Sequence, residues 1–318
     1  MAAAHFRLRL LTATVVALVR LQGGRTATFT ITNNCGYTVW PGLLSSAGSA
    51  PLSTTGFALA PGASQAVVAP AGWSGRMWGR TLCAPSTDGA RFACATGDCG
   101  SGDVQCNGGG AAPPATLAEF TLDGSGNLDF FDVSLVDGYN LPMLVTPLTN
   151  TASASSGKCA ATGCLAELNG ACPADLRVAA SVSGASSSAV ACRSACEAFG
   201  SAEYCCSGAY GNPNTCRPSA YSEFFKSACP RAYSYAYDDS TSTFTCAAGA
   251  TDYAITFCPA AAGPTSVKSG QNPQAAGLQQ LNDSMVFYGA GGPQASGATT
   301  ASYSLAAVLA AAVAVALL

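Results

Sequence analysis

Sixteen cysteines, all between Cys35 and Cys258, constrain this chain more than any other feature; the first 34 residues and the last 60 contain none. An even set confined to one block reads as a disulfide framework made in an oxidising compartment. The rival reading is metal binding. Adjacent Cys205 and Cys206, with irregular gaps elsewhere, fit no paired zinc-ligand spacing. The single histidine, His5, lies near the N-terminus, outside the cysteine block. No metal and no cofactor are expected. Eight bridges of about 2–4 kcal/mol each, not additive, would stabilise the block from residue 27 to 259. That length suffices for a real core, built as one large β domain or two small ones.

The two ends read differently from the block. Residues 1–26 combine Arg7 and Arg9 with an apolar run over 10–19 and then small residues. This is a signal-peptide pattern, too short for a span. Residues 260–296 are rich in Ala, Gly, Ser, Gln and Pro and read as a flexible stalk. The stalk carries the sequon Asn282-Asp283-Ser284, an N-glycosylation site. Residues 305–318 contain only Leu, Ala and Val and run to the last residue. Small residues, a polar spacer over 299–304 and this tail form a GPI-attachment signal over 297–318. Ser296 is the expected attachment site, with Ala290 and Gly291 as alternatives. The competing reading is a tail-anchored helix or an unprocessed tail. The expected location is secreted, anchored at the outer face of the plasma membrane or in the cell wall, with the membrane reached only through the lipid anchor.

Setting aside Arg7, Arg9, Arg20 and Arg25, ten Lys and Arg remain against seventeen Asp and Glu, about −7 for the mature body. Such a body is a poor partner for nucleic acid or an anionic membrane. Neutral glycans and cationic partners remain open, and a monomer is expected.

Within the block, Ala27–Asn33 alternates apolar and polar residues, the period of a half-buried strand. Further strands are predicted over 37–40, 56–62, 65–68 and 75–81. Residues 117–122 and 128–134 form a hairpin-like pair around Asp123-Gly124-Ser125-Gly126. Strands over 242–246 and 253–258 close the block. Between them the cysteines crowd, and helices are predicted over 189–199, stopped by Gly200, and over 218–228. The fold class is therefore mainly β. An antiparallel β-sandwich over 27–150 and 237–259 is joined to a cysteine-rich, partly helical domain over 151–236. A closing strand ending at Cys258 suggests a tie to Cys35.

Several segments resemble one family. They are the strand ending Asn33-Asn34-Cys35, Thr96-Gly97-Asp98-Cys99, Cys106-Asn107-Gly108, and Leu117-Ala118-Glu119-Phe120. Further on come Phe130-Phe131-Asp132, Glu203-Tyr204-Cys205-Cys206 and Thr241-Ser242-Thr243-Phe244-Thr245-Cys246. Across residues 27–259 the chain resembles the thaumatin-like, pathogenesis-related proteins of plants, the osmotin and zeamatin type. The resemblance implies bridges Cys35–Cys258, Cys83–Cys94, Cys99–Cys106, Cys159–Cys246, Cys164–Cys229, Cys172–Cys192, Cys196–Cys205 and Cys206–Cys216. It also implies an acidic cleft between the sandwich and the cysteine-rich part. By motif, its members would be Arg76, Glu119, Asp132 and Asp137, with Asp238 as the fifth. Asp239 stands beside Asp238, and Arg231 replaces the family's Asp after Pro230.

The residues limit the chemistry independently of the resemblance. A mature chain without histidine has no Ser-His-Asp triad, and bridged cysteines supply no thiolate. Carboxylates remain. Glu119 and Asp132 on neighbouring strands would face one groove, to bind sugar hydroxyls or to act as acid and base on a glycosidic bond. The plain structural alternative is that Asp137-Gly138 is a turn and that Asp132 caps a strand or pairs with Arg76. Tyr139 and Tyr210 are candidate stacking aromatics. Taken with the resemblance, three functions are expected: a defence protein binding β-1,3-glucan or another wall polysaccharide, a weak endo-β-1,3-glucanase using Glu119 and Asp132, and an anchored adaptor for a surface protein.

Overall fold

The computed structural model describes residues 25–86, 89, 91–149, 158–180 and 188–260. The predicted leader, stalk, Asn282, Ser296 and C-terminal signal lie outside these residues. The described residues fall within one unit, Met1–Asp283; the second unit, Ser284–Leu318, lies wholly outside them.

The strands are β1 (Ala27–Asn33), β2 (Trp40–Ser45), β3 (Ser64–Ala69), β4 (Ser74–Pro85), β5 (Phe92–Thr96), β6 (Leu117–Gly124) and β7 (Leu128–Ser134). They continue as β8 (Met143–Thr149), β9 (Thr162–Cys164), β10 (Arg177–Ala180), β11 (Ser188–Cys192), β12 (Phe244–Ala247) and β13 (Thr251–Phe257). One sheet has the order β3-β1-β13-β8-β9, with β1 and β13 parallel. The other has the order β12-β7-β6-β4-β2, with β5 paired to the far end of β4.

Alternation puts Phe29, Ile31, Val67, Tyr253 and Ile255 of the first sheet against Leu43, Met77, Phe120, Phe131 and Val133 of the second, all buried. Aromatic contacts bind the two layers. Phe29 meets Phe120 edge-on at 4.7 Å, and Tyr253 lies 5.2 Å from both Phe120 and Phe131. The Tyr253 hydroxyl donates to buried Asp129 at 2.8 Å. The same core runs on into the cysteine-rich part through Leu168, Leu176, Tyr221, Phe224 and Phe225.

Eight disulfides join the described cysteines, none of which is free. They pair Cys35–Cys258, Cys83–Cys94, Cys99–Cys106, Cys159–Cys246, Cys164–Cys229, Cys172–Cys192, Cys196–Cys205 and Cys206–Cys216, the pairs the resemblance implied. Cys35–Cys258 joins the ends of the parallel pair β1 and β13, so first and last strands are tied by bridge and ladder together.

Four local predictions need correction. The helix predicted over 189–199 is split: β11 pairs with β10, and only α1 (Ala195–Phe199) is helical. Cys192 is bridged to Cys172, and its N–H and C=O both pair with Tyr139, which holds the segment extended. The helix starts where the Ser194 side chain accepts from the Glu197 N–H, and ends at Gly200 in the left-handed region. The second helix, α2 (Ala220–Ala228), starts after a Ser219–Ser222 capping box, so Pro218 precedes the cap instead of opening the first turn. A one-turn helix, α3 (Asp239–Ser242), lies where the closing strand was expected to begin. The strand predicted over 37–40 contributes only a Val39–Leu59 bridge before β2 begins.

Candidate functional site

The outer face of the second sheet carries the site. Met77, Phe120 and Phe131 point into the sandwich, so their strand neighbours Arg76, Glu119 and Asp132 point away from it. Register then aligns them. Leu44 opposes Arg76, Arg76 opposes Glu119, and Glu119 opposes Asp132, which makes one row across β2, β4, β6 and β7. The next row, Gly42, Trp78, Leu117 and Ser134, is covered by the loop of the Cys99–Cys106 bridge. Trp78 and Leu117 pack with Cys106 and Ala115 there, and the Trp78 indole donates to Gly97 at 2.8 Å. Fully buried Arg80 holds that loop by donating to the carbonyls of Trp40, Pro41 and Val104. The charged row begins at the next alternation, two residues along each strand.

Both sides of the Asp132 end are furnished from later in the chain. The Tyr233 N–H donates to the Val133 carbonyl, and the Leu135 N–H donates to the Tyr233 carbonyl. The pairing of Phe244 with Phe131 brings Thr243 alongside. The Tyr233 hydroxyl bonds Asp239 at 2.8 Å and also contacts Thr243. Asp137 follows β7 at a turn closed by the Gly138 N–H to the Leu135 carbonyl, with Gly138 at φ 85°. A Cβ there would lie 2.7 Å from the Cys192 carbonyl. The Tyr139–Cys192 pair brings the cysteine-rich part to this turn, near enough for the Asp137 charge to act on Glu197, which Arg193 also faces.

The electrostatics follow from burial. Burial pushes the Asp132 carboxyl well above the usual carboxylate range, and the Glu119 and Asp239 charges push it further. Burial also raises Glu119; Arg76 pulls it back and Asp137 raises it again. Asp137 is raised by burial and pulled back by Arg76. Glu197 is raised by burial, with Arg193 lowering it and Asp137 raising it. Two buried atoms beside this group lack a hydrogen-bond partner: Asp132 Oδ1 and Arg193 Nε.

Four of the five expected residues thus act on one another: Arg76, Glu119, Asp132 and Asp137. The fifth does not. Asp238 is buried; one oxygen accepts from the Ser234 N–H and hydroxyl, the other from the Thr241 hydroxyl, and it pairs with Lys226 at 2.8 Å. Its neighbour Asp239 is the residue whose charge reaches Asp132. Asp132 does not pair with Arg76 as the structural alternative had it; the Asp137-Gly138 turn is present. Tyr139 is no stacking aromatic. It is fully buried and its hydroxyl donates to the Ala166 carbonyl, whereas Tyr210 is exposed. Arg231 stacks 4.5 Å over the Phe244 ring. Sequence reasoning missed Tyr233, Thr243, Arg193 and Glu197, because only tertiary pairing brings them to the row. Among the described residues no group of three metal-ligating side chains is assembled.

Residues 33–259 match the Thaumatin family. A thaumatin-like protein 1 of Arabidopsis thaliana is 57% identical over 76% of this chain and 89% of its own length. A thaumatin-like protein 1 of Prunus persica is 53% identical over 79% of this chain and 97% of its own. A protein of Prunus avium named glucan endo-1,3-beta-glucosidase is 51% identical over 77% of this chain and 95% of its own.

Proposed function

The chain belongs to the thaumatin family, and on that premise we propose that it is an extracellular defence protein that binds β-1,3-glucan along the Arg76–Glu119–Asp132 row. One observation carries the reading. Asp132 Oδ1 is buried at the end of an in-register charged row and has no hydrogen-bond partner. An unsatisfied buried acceptor costs about 1–3 kcal/mol. A sugar hydroxyl donates readily and, being neutral, tolerates carboxylates on both sides. Arg76 supplies the complementary donor, and Asp137 extends the acceptors toward Glu197.

Insoluble β-1,3-glucan tests the reading by pull-down. The wild-type protein is retained, while Glu119→Gln and Asp132→Asn lose most of their retention. Equal retention of all three overturns it.

A second reading, hydrolysis, is favoured by the direct Glu119–Asp132 opposition and by the name of the Prunus avium relative. Cross-strand partners have Cβ atoms about 4.5–5.5 Å apart, which lets the two carboxyls approach each other across the row as the pair of a retaining glycosidase must. Asp132, its carboxyl raised well above the usual range by burial and by two like charges, would be the acid that protonates the leaving oxygen as Glu119, beside Arg76, attacks the anomeric carbon; water, deprotonated by Asp132, would then cleave the glycosyl–Glu119 ester and restore both carboxyls. Release of reducing sugar that disappears in both variants supports hydrolysis; binding without release removes it.

The surface address belongs to the same proposal. With Ser296 as a GPI attachment site, a phosphatidylinositol-specific phospholipase releases the protein from cells that express it. Retention after treatment contradicts the anchor.

A further inference from the structure

The charged row does not stop at Arg76. Its next member is Leu44 on the edge strand β2, and there the surface changes character. Between β2 and residues 51–55 lies an open recess of about 180 Å³, lined by Leu43, Leu44, Ser45, Pro51, Leu52, Thr54, Thr55 and Gly108. The recess is built. The Leu43 N–H donates to the Thr55 carbonyl, and the Gln105 amide oxygen accepts from the Thr55 N–H and hydroxyl and from the Thr54 hydroxyl. The threonine hydroxyls are occupied by these bonds, and the Ser45 hydroxyl donates to the Ala50 carbonyl and accepts from the Trp73 indole N–H; with Leu43 buried in the core, Leu44, Pro51 and Leu52 are the apolar side chains a ligand meets. A cavity of about 150 Å³ lined by Leu, Ile and Phe takes a benzene ring, so this recess is large enough for one.

Strands lie about 4.8 Å apart, so Asp132 and Leu44, three strands distant, are about 14 Å apart. A short oligosaccharide laid along the row would bring a substituent at its Leu44 end into the recess. We propose that the recess binds an aromatic ring covalently carried by the glycan, such as an aryl glycoside or an aromatic ester, and that it selects substituted over plain polysaccharide. The proposal rests on the row binding glycan, and its test keeps the two failures apart.

The probes are methyl and benzyl β-laminaritriosides, together with laminaritriose carrying a benzoyl ester at its non-reducing end, titrated by calorimetry. One of the two aromatic probes binds about tenfold more tightly than the methyl glycoside, a gain of about 1.4 kcal/mol. In Leu52→Ser that ratio falls to near one. Methyl-group NMR signals of Leu44 and Leu52 shift with the aromatic probe and not with the methyl glycoside, a readout that needs no variant. Equal affinity for all three probes, with unmoved leucine signals, overturns the recess and leaves glycan binding intact. No binding of any probe overturns glycan binding along the row, and the recess proposal with it.

Discussion

Asp132 shows how one residue can be costly to the fold and useful to the site. Its carboxyl is raised by burial and by the charges of Glu119 and Asp239. The folded state therefore holds its proton at a pH where the unfolded chain has lost it. Stability from this group is complete at pH below the ordinary carboxylate range and is lost as pH rises through the folded value. Asp132→Asn removes the charge and keeps the shape. It is expected to raise Tm by a few degrees at pH 7, and the gain shrinks toward zero by pH 3. Thermal scans without reductant check this; a variant less stable than wild type at pH 7 contradicts it. The identity of this residue was legible in its motif. Its cost was not, because Tyr233, Thr243 and Asp239 reach it from over 100 positions away in the chain.

At the scale of elements, the segment from Tyr233 to Thr243 determines one wall of the site, and α2 holds it there. Lys226 on α2 pairs with Asp238 and donates to the Ala232 carbonyl and the Ser242 hydroxyl. Lys226→Met leaves Asp238 buried without its cation. The expected loss is roughly 2 kcal/mol, below the figure for a fully buried pair because the lysine keeps some exposure. Denaturant unfolding measures it; a loss under about 0.5 kcal/mol, the size of an exposed pair, contradicts the locking role. The strands of the sandwich were readable from period-two alternation, since Ala27–Asn33 buries every second residue and Leu117–Gly124 does so from Ala118 to Leu122. The helix predicted across 189–199 failed because its apolar residues serve a bridged strand, and a Cys192 pulled extended by Tyr139 leaves no trace in local periodicity. Asp238 and Asp239 were indistinguishable in sequence for the same reason. Only the Ser234 and Lys226 contacts distinguish them, engaging Asp238 and leaving Asp239 as the charge that reaches Asp132.

For the whole molecule, the bridges tie together the parts that carry the charged row. The row spans the sandwich, its far wall belongs to the cysteine-rich part, and one continuous core underlies both. Cys35–Cys258 closes a loop of 223 residues around nearly all of the fold. Its removal, as Cys35→Ser with Cys258→Ser, is expected to cost about 2–5 kcal/mol without changing the other seven pairings. Peptide mapping with thermal scans checks both parts, and unchanged stability contradicts the first. The presence of a disulfide framework was evident from the cysteine count, but count and spacing left its partners open. The acidic balance of the residues after Arg25 likewise disfavours polyanions without choosing a ligand. That choice rests on the buried oxygen of Asp132, and a structure of the protein with a β-1,3-gluco-oligosaccharide tests it most directly. The account predicts a sugar hydroxyl within hydrogen-bond distance of Asp132 Oδ1, with the chain running along Glu119 toward Arg76. A sugar bound elsewhere, with Asp132 Oδ1 still unpartnered, would contradict it.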